Sequence, residues 1–154
     1  MGQILTITGY AEAGRRTLVR HIIKKHPGAR LMTSTTTKHP SKRDMKGMYH
    51  HVTEVQFTAL EWMGSLLWGV LYHGLRDQGS RYGTSREVID QLLDEEGALG
   101  ILLPTPEAVV SLRGYLKSKG REDALVPVFL VAPPEDIHRR RLRSREVSEG
   151  VITR

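Results

Sequence analysis

The chain has 154 residues, 39% of them hydrophobic, which is enough for one globular domain with a single core. It contains no cysteine, which excludes disulfides and thiolate metal sites, and no apolar run approaches the roughly 20 residues of a membrane span, so a cytoplasmic protein is expected. The 23 Lys and Arg residues against 17 Asp and Glu give a net charge of +6 and predict anionic partners. The few aromatic residues do not alternate with basic ones, so the composition does not favour nucleic acid binding.

The first part of the chain predicts a strand, a glycine-rich loop and a helix. Residues 3–8 form a short β-rich run that ends at a glycine, and residues 15–25 carry apolar side chains at helical spacing. The loop between them has the Gly-x-x-x-x-Gly spacing with which backbone N–H groups hold phosphates. The candidate phosphate-loop residues are Gly9, Gly14, Arg15, Arg16 and Thr17.

This loop departs from the complete motif, which continues with Lys and then Ser or Thr. Arg15 keeps the positive charge without the compact ammonium group, and Arg16 cannot ligate a cation. Thr17 lies one residue too late, about 100° around the helix. Glu12 adds a negative charge where phosphates would lie. We therefore expect the loop geometry to be retained, no protein metal site, and ATP and magnesium as cofactors only if the chain is a kinase.

The middle of the chain, residues 34–84, is a long excursion from the alternating pattern. It contains two strand candidates, 49–52 and 66–72, with a predicted helix at 54–63 between them. Polar runs mark it: Ser-Thr-Thr-Thr-Lys at 34–38, Tyr-His-His-Val at 49–52 and Tyr-Gly-Thr-Ser-Arg at 82–86.

The alternation of strands and helices frames this excursion. A second strand is predicted at 30–33, and after the excursion come a helix at 85–94 capped by Ser85, a strand at 98–103, a helix at 106–119, a strand at 125–131 and a basic helix that begins near residue 133. This order predicts an α/β fold with a parallel sheet covered by helices on both faces.

In their order and spacing, the loop at 9–17 and the three polar runs resemble guanylate kinase, the enzyme that phosphorylates GMP from ATP. The resemblance covers nearly the whole chain and implies a single guanylate-kinase-like domain of residues 1–154. Its parts would be a P-loop kinase core of residues 1–33 and 86–135, a small β-rich arm of 34–85 that binds the nucleoside monophosphate, and a lid-like basic helix of 136–154. The family's C-terminal strand and helix would be absent.

The resemblance also implies a site for the GMP phosphate, which the family holds with two arginines and two tyrosines. Lys38 and Ser41 stand at the arginine positions, and Tyr49 and Tyr82 stand at the tyrosine positions. Hydroxyls are retained at two further positions, Ser34 and Thr84. The lid arginines, which approach transferring phosphates in the family, correspond to Arg141, Arg145 and Arg154.

The carboxylates that pair with guanine in the family are missing at the matching positions. Trp68 stands at the first, with Leu67 as the nearest alternative, and Leu103 stands at the second. Glu61 could substitute only by shifting the helix spacing. Guanine donors left unpaired in a dry pocket cost roughly 1–3 kcal/mol each.

Three functions are compatible with these residues. The sequence favours a catalytically weak or inactive protein that binds a phosphate-bearing ligand or a protein partner through the former GMP cleft, as guanylate-kinase-like domains of scaffold proteins do. The alternatives are an active kinase that transfers phosphate from ATP to GMP or dGMP, and a basic nucleic-acid-binding protein. The insertion at 75–81 has no predicted role.

Overall fold

The computed structural model describes residues 1–72 and 79–144. Its strands are β1 (Gln3–Gly9), β2 (Ala29–Leu31), β3 (Ser34–Thr36), β4 (Tyr49–His51), β5 (Leu66–Leu71), β6 (Arg81–Ser85), β7 (Leu99–Leu102) and β8 (Leu125–Leu130). Its helices are α1 (Arg15–Lys25), α2 (Glu54–Trp62), α3 (Arg86–Asp94), α4 (Pro106–Ser118) and α5 (Glu135–Ser144), with a 3-10 turn at Glu122–Ala124. No helix in these ranges is long and apolar enough to cross a membrane.

The core is a four-stranded parallel sheet in the order β2-β7-β1-β8. Strand β1 lies in its interior, where Ile4 and Ile7 are completely buried, as is Ile101 on β7. Such apolar strands suit a sheet that is covered by other elements. The predicted α/β fold is confirmed. The predicted insertion at 75–81 and the predicted lid at 136–154 lie only partly within the described residues.

A second four-stranded sheet, in the order β4-β3-β6-β5, forms the arm. Strands β3 and β4 run parallel, whereas β6 runs antiparallel to both β3 and β5. The strand predicted at 30–33 ends at Leu31, and the chain then enters β3 in the arm sheet. Strand β6 was not predicted, because it contains Gly83. A Cβ at Gly83 would lie 2.6 Å from the Trp68 carbonyl oxygen, so only glycine allows this close approach of β5 and β6.

Side-chain caps fix the starts of three helices. Thr53 and Gln56 form a reciprocal capping box at the start of α2, and the predicted cap Ser85 accepts a hydrogen bond from the N–H of Val88. Thr105 does the same for α4, with Pro106 at the favoured first position. These local signals explain why the predicted helix starts agree with the structure to within a residue.

The arm is joined to the core by apolar packing. Within the arm, Phe57 of α2 is completely buried, and the Arg81 guanidinium lies 4.4 Å from the centre of its ring. Trp68 of β5 packs in the main core cluster with Met32 and Leu102. Its ring therefore connects the arm sheet to the core and fixes one wall of the space between them.

Among the strands of the described residues, β8 is the outermost on one side of the core sheet. Gln3 donates its N–H to the Ala98 carbonyl beside β7. Because the backbone groups of successive strand residues point to alternate sides, those of Ile4, Thr6 and Thr8 face β8. Thr6 lies opposite Pro127, so the backbone of Pro127 faces away from β1. Proline has no N–H, so this outer side of β8 lacks a donor at residue 127.

Candidate active site

An open cleft of about 1720 Å³ lies between the core and the arm. The regions that line it include the glycine-rich loop with the start of α1, one face of the arm sheet, and the residues at the carboxyl end of β7. In a parallel α/β sheet, this end is where ligands bind.

The glycine-rich loop has a phosphate-loop conformation. Gly14 adopts a left-handed φ of 102° immediately before α1, and no side chain caps the helix start. Glu12 has a φ of 60°, a left-handed conformation that costs a residue with a Cβ roughly 1–2 kcal/mol. Gly9, Gly14, Arg15, Arg16 and Thr17 all line the cleft. The loop therefore presents a helix N-terminus to the cleft, a position that favours anions.

Arg16 connects the glycine-rich loop to the arm and supplies no ligand for a metal ion. Its Nη1 donates a hydrogen bond to the Arg43 carbonyl oxygen at 2.8 Å. Within residues 1–72 and 79–144, no group of three or more His, Cys, Asp or Glu side chains could hold a metal ion. A guanidinium has no acceptor, so Arg16 does not fit the residue position at which a phosphate loop offers a hydroxyl to magnesium.

Helix α5 lies against the phosphate loop. Arg141 Nη1 donates to the Glu12 carbonyl oxygen at 3.2 Å, and His138 Nε2 lies 2.7 Å from the Ala11 carbonyl oxygen. Arg141 also lines the cleft. Arg145 and Arg154 lie outside the described residues.

One face of the arm sheet carries the predicted arm residues. Tyr49 pairs with Ser34, and Trp68 pairs with Thr84, in the registers of β4 with β3 and of β5 with β6. The hydroxyl oxygens of Ser34 and Thr84 lie 3.3 Å apart, which completes a row across the four strands. All four side chains line the cleft, together with Tyr82.

The two tyrosines converge. The ring centroids of Tyr49 and Tyr82 are 5.7 Å apart in an edge-to-face contact, and Tyr72 contacts Tyr82 at 5.9 Å. Lys38 Nζ lies 5.4 Å from the centroid of the Tyr49 ring and also lines the cleft. The structure thus brings Lys38, Tyr49 and Tyr82 together in the cleft that the glycine-rich loop also lines.

Asp44, which the sequence did not single out, holds Lys38 in place. Its Oδ1 accepts a hydrogen bond from Lys38 Nζ at 2.6 Å, and its Oδ2 accepts one from the Ser41 N–H at 2.9 Å. Both charged side chains are 11% exposed. Burial raises the pKa of Asp44, but the bonds from Lys38 and Ser41 and the positive charges of Lys38 and Arg16 outweigh it and hold the pKa below its usual range.

The Asp44→Asn variant is expected to unfold more easily at neutral pH, because Lys38 would keep its charge with a weaker partner. We expect a loss of roughly 1–3 kcal/mol in the free energy of unfolding at pH 7. A carboxyl group with a depressed folded-state pKa stabilises the fold above its unfolded pKa, near 4, and this stabilisation is lost as the pH falls through the folded value. The difference between wild type and variant should therefore shrink below about pH 4.

Urea denaturation between pH 7 and pH 3 measures this difference. Asp94→Asn is the matched control, since Asp94 is exposed at the end of α3. If the difference in unfolding free energy between wild type and Asp44→Asn persists unchanged to pH 3, or if Asp94→Asn has an equal effect, the stabilising role of the ionised Asp44 is contradicted.

The cleft is strongly cationic. Among the described residues, one carboxylate side chain lines it, that of Glu12. Six cationic side chains line it: Arg15, Arg16, Arg20, Lys38, Arg43 and Arg141. Clustered charge of one sign in a cleft concentrates ligands of the opposite sign.

Comparison with known proteins identifies relatives along nearly the whole chain. No protein-family model matches it. The chain is 28% identical over 155 residues to a guanylate kinase of Idiomarina loihiensis, with 99% of this chain and 69% of that protein covered. It is 29% identical over 157 residues to a guanylate kinase of Thermosynechococcus vestitus, with 99% of this chain and 75% of that protein covered. A guanylate kinase of Tropheryma whipplei is 30% identical over 135 residues, with 86% and 64% covered.

A solved structure supports the same relationship at the level of the fold. The crystal structure of guanylate kinase from Anaplasma phagocytophilum matches with a TM-score of 0.68 at 20% identity. The match covers 91% of this chain but 65% of that one, so the chain spans just under two thirds of the solved protein. The chain is a homologue of the guanylate kinases over nearly its whole length and has their α/β fold.

Proposed function

We propose that the cleft binds a nucleoside monophosphate and that the chain transfers phosphate to it from ATP, as a phosphotransferase of the guanylate kinase type. One observation carries this proposal: the glycine-rich loop and the Lys38, Tyr49 and Tyr82 side chains line the same cleft. This arrangement suits a donor and an acceptor phosphate held in one space. The relatives described above are named guanylate kinases, and they favour transfer over the purely binding function that the sequence alone favoured.

The chain's own residues would act by positioning and by charge. The hydroxyls of Tyr49 and Tyr82, with the Lys38 ammonium, would hold the acceptor phosphate. The backbone N–H groups at the start of α1 would hold the donor phosphates, with Arg15 beside them. Arg141, which already contacts the loop, would neutralise charge that develops during transfer.

A second function, binding without transfer, is favoured by the contact of Arg16. Arg16 stands at the sequence position where the complete motif has the magnesium-binding hydroxyl. Its guanidinium donates a hydrogen bond to the Arg43 carbonyl oxygen. A protein of this kind would bind a nucleotide or a protein partner that presents a phosphate group.

Turnover separates the two functions. With millimolar ATP–magnesium and a panel of nucleoside monophosphates, we expect measurable ADP release slower than about 1 s⁻¹, the low end of ordinary kinases. Arg15→Ala should abolish it, whereas Arg113→Ala, which removes an exposed arginine of α4, should not. Calorimetric binding of a monophosphate without ADP release would support the second function, and neither binding nor turnover would refute both.

A further inference from the structure

The charged and the apolar side chains that line the cleft come from different elements. Most of the arginines lie on α1 or contact the glycine-rich loop, whereas the apolar side chains come mainly from the arm sheet and from the core beside it. They include Met32, Met48, Trp68, Val70 and Leu102. A ligand with a phosphate at one end and an apolar group at the other matches this division.

Trp68 is the aromatic residue among these apolar side chains. It is 9% exposed, and its ring packs against the core while lining the cleft. The indole offers a flat apolar face and one N–H donor but no acceptor. Trp68 lies in the same row as Ser34 and Thr84. A ligand group that binds beside these two hydroxyls would therefore contact the indole ring.

Guanine does not suit this environment. Its Watson–Crick edge presents N–H donors that need acceptors. The Ser34 and Thr84 hydroxyl oxygens already lie 3.3 Å from each other. Among the described residues that line the cleft, the carboxylate is that of Glu12, which lies in the glycine-rich loop and not beside Trp68. Guanine bound beside Trp68 would therefore meet hydroxyls but no carboxylate acceptor, which weakens its binding relative to a group with fewer donors.

Aromatic side chains suggest the group that fits instead. Tyr49, Tyr82 and Tyr72 form consecutive edge-to-face contacts along the arm sheet, and Trp68 lies on the same sheet. Rings of this kind bind other rings by stacking and edge contacts.

We propose that the cleft selects phosphate esters of flat aromatic groups that carry few hydrogen-bond donors, and that Trp68 determines this selectivity. The proposal rests on the proposed function only in requiring that the phosphate binds in this cleft. The aromatic group could belong to a pyrimidine nucleotide or to a small aryl phosphate, and separate probes distinguish these sources.

Calorimetry with inorganic phosphate, phenyl phosphate, dTMP and GMP tests the ligand class. Phenyl phosphate should bind about tenfold more tightly than inorganic phosphate, and dTMP should bind more tightly than GMP. If phenyl phosphate binds more tightly than dTMP, the natural ligand is an aryl phosphate. If dTMP binds more tightly than phenyl phosphate, it is a pyrimidine nucleotide. A preference for GMP over dTMP of about tenfold, or phenyl phosphate no tighter than inorganic phosphate, would overturn the proposal.

Substitution of Trp68 tests the determinant. Trp68→Glu should shift the ratio of GMP to dTMP affinity towards GMP by about tenfold, because the carboxylate accepts from guanine. Trp62→Glu, at a tryptophan of α2 that is 88% exposed and outside the cleft, should leave the ratio unchanged. If circular dichroism shows that Trp68→Glu does not fold, Trp68→Leu should weaken phenyl phosphate about fivefold while inorganic phosphate changes less than about twofold.

The outcomes separate this proposal from the proposed function. Binding of phosphate and nucleotides with preferences that do not depend on Trp68 overturns the role of Trp68 and leaves the proposed function standing. If none of the four ligands binds, both are overturned.

Discussion

Replacement of both Tyr49 and Tyr82 by phenylalanine is expected to weaken phosphate binding in the cleft by roughly 1–3 kcal/mol, or about 5- to 150-fold. The two rings lie 5.7 Å apart, and the hydroxyls are the groups through which they would share one anion. Phenylalanine keeps the edge-to-face contact of the rings, so the packing of the arm sheet should be retained.

Calorimetry with inorganic phosphate measures this loss, and Tyr115→Phe is the matched control. The Tyr115 hydroxyl donates to Asp90 at 2.9 Å, away from the cleft, so its removal should lower stability without changing phosphate affinity. A crystal soaked in sulfate should show the anion beside Tyr49, Tyr82 and Lys38. Unchanged affinity in the double variant, or an anion found only in the glycine-rich loop, would remove the phosphate role of the tyrosines.

Arg16→Ser is expected to make ATP binding depend on magnesium. In the wild type, Arg16 bonds to the Arg43 carbonyl oxygen and supplies no metal ligand, so replacing magnesium with EDTA should change ATP affinity less than about threefold. Serine supplies the hydroxyl that a phosphate loop offers to magnesium. The variant should therefore bind ATP about tenfold more tightly with magnesium than with EDTA.

Fluorescence titration with a labelled ATP analogue, with and without EDTA, measures this difference. Lys24→Ser is the control, because it removes a positive charge in the last turn of the same helix. A wild type that already loses about tenfold in affinity with EDTA would show that the chain binds magnesium despite Arg16.

The sequence predicted most of the core because the signals there are local. Apolar runs identified β1, β7 and β8. Helical spacing located α1, α3 and α4 to within about one residue at most ends, helped by the cap Ser85 at α3 and by Pro106 at α4. The resemblance also identified Tyr49 and Tyr82, which the fold places in contact although they are far apart in the chain.

The remaining features depend on contacts between distant parts of the chain. Strand β3 is three polar residues long, and its pairing on both sides makes it a strand, which no local pattern indicates. The bond of Arg16 to the Arg43 carbonyl and that of Arg141 to the Glu12 carbonyl use backbone acceptors, which every residue offers equally. The pairing of Lys38 with Asp44 requires a loop conformation that sequence spacing does not determine.

The outward-facing proline of β8 has a consequence for self-association. Phe129 and Val131 are exposed at 53% and 78%, and exposed apolar strands commonly nucleate intermolecular β-structure. No strand among the described residues pairs with β8 on the side that faces away from β1, and Pro127 offers no N–H there. A strand that pairs with this side therefore forms a ladder with one hydrogen bond missing, which makes β8 a weaker template than its apolar side chains alone would make it.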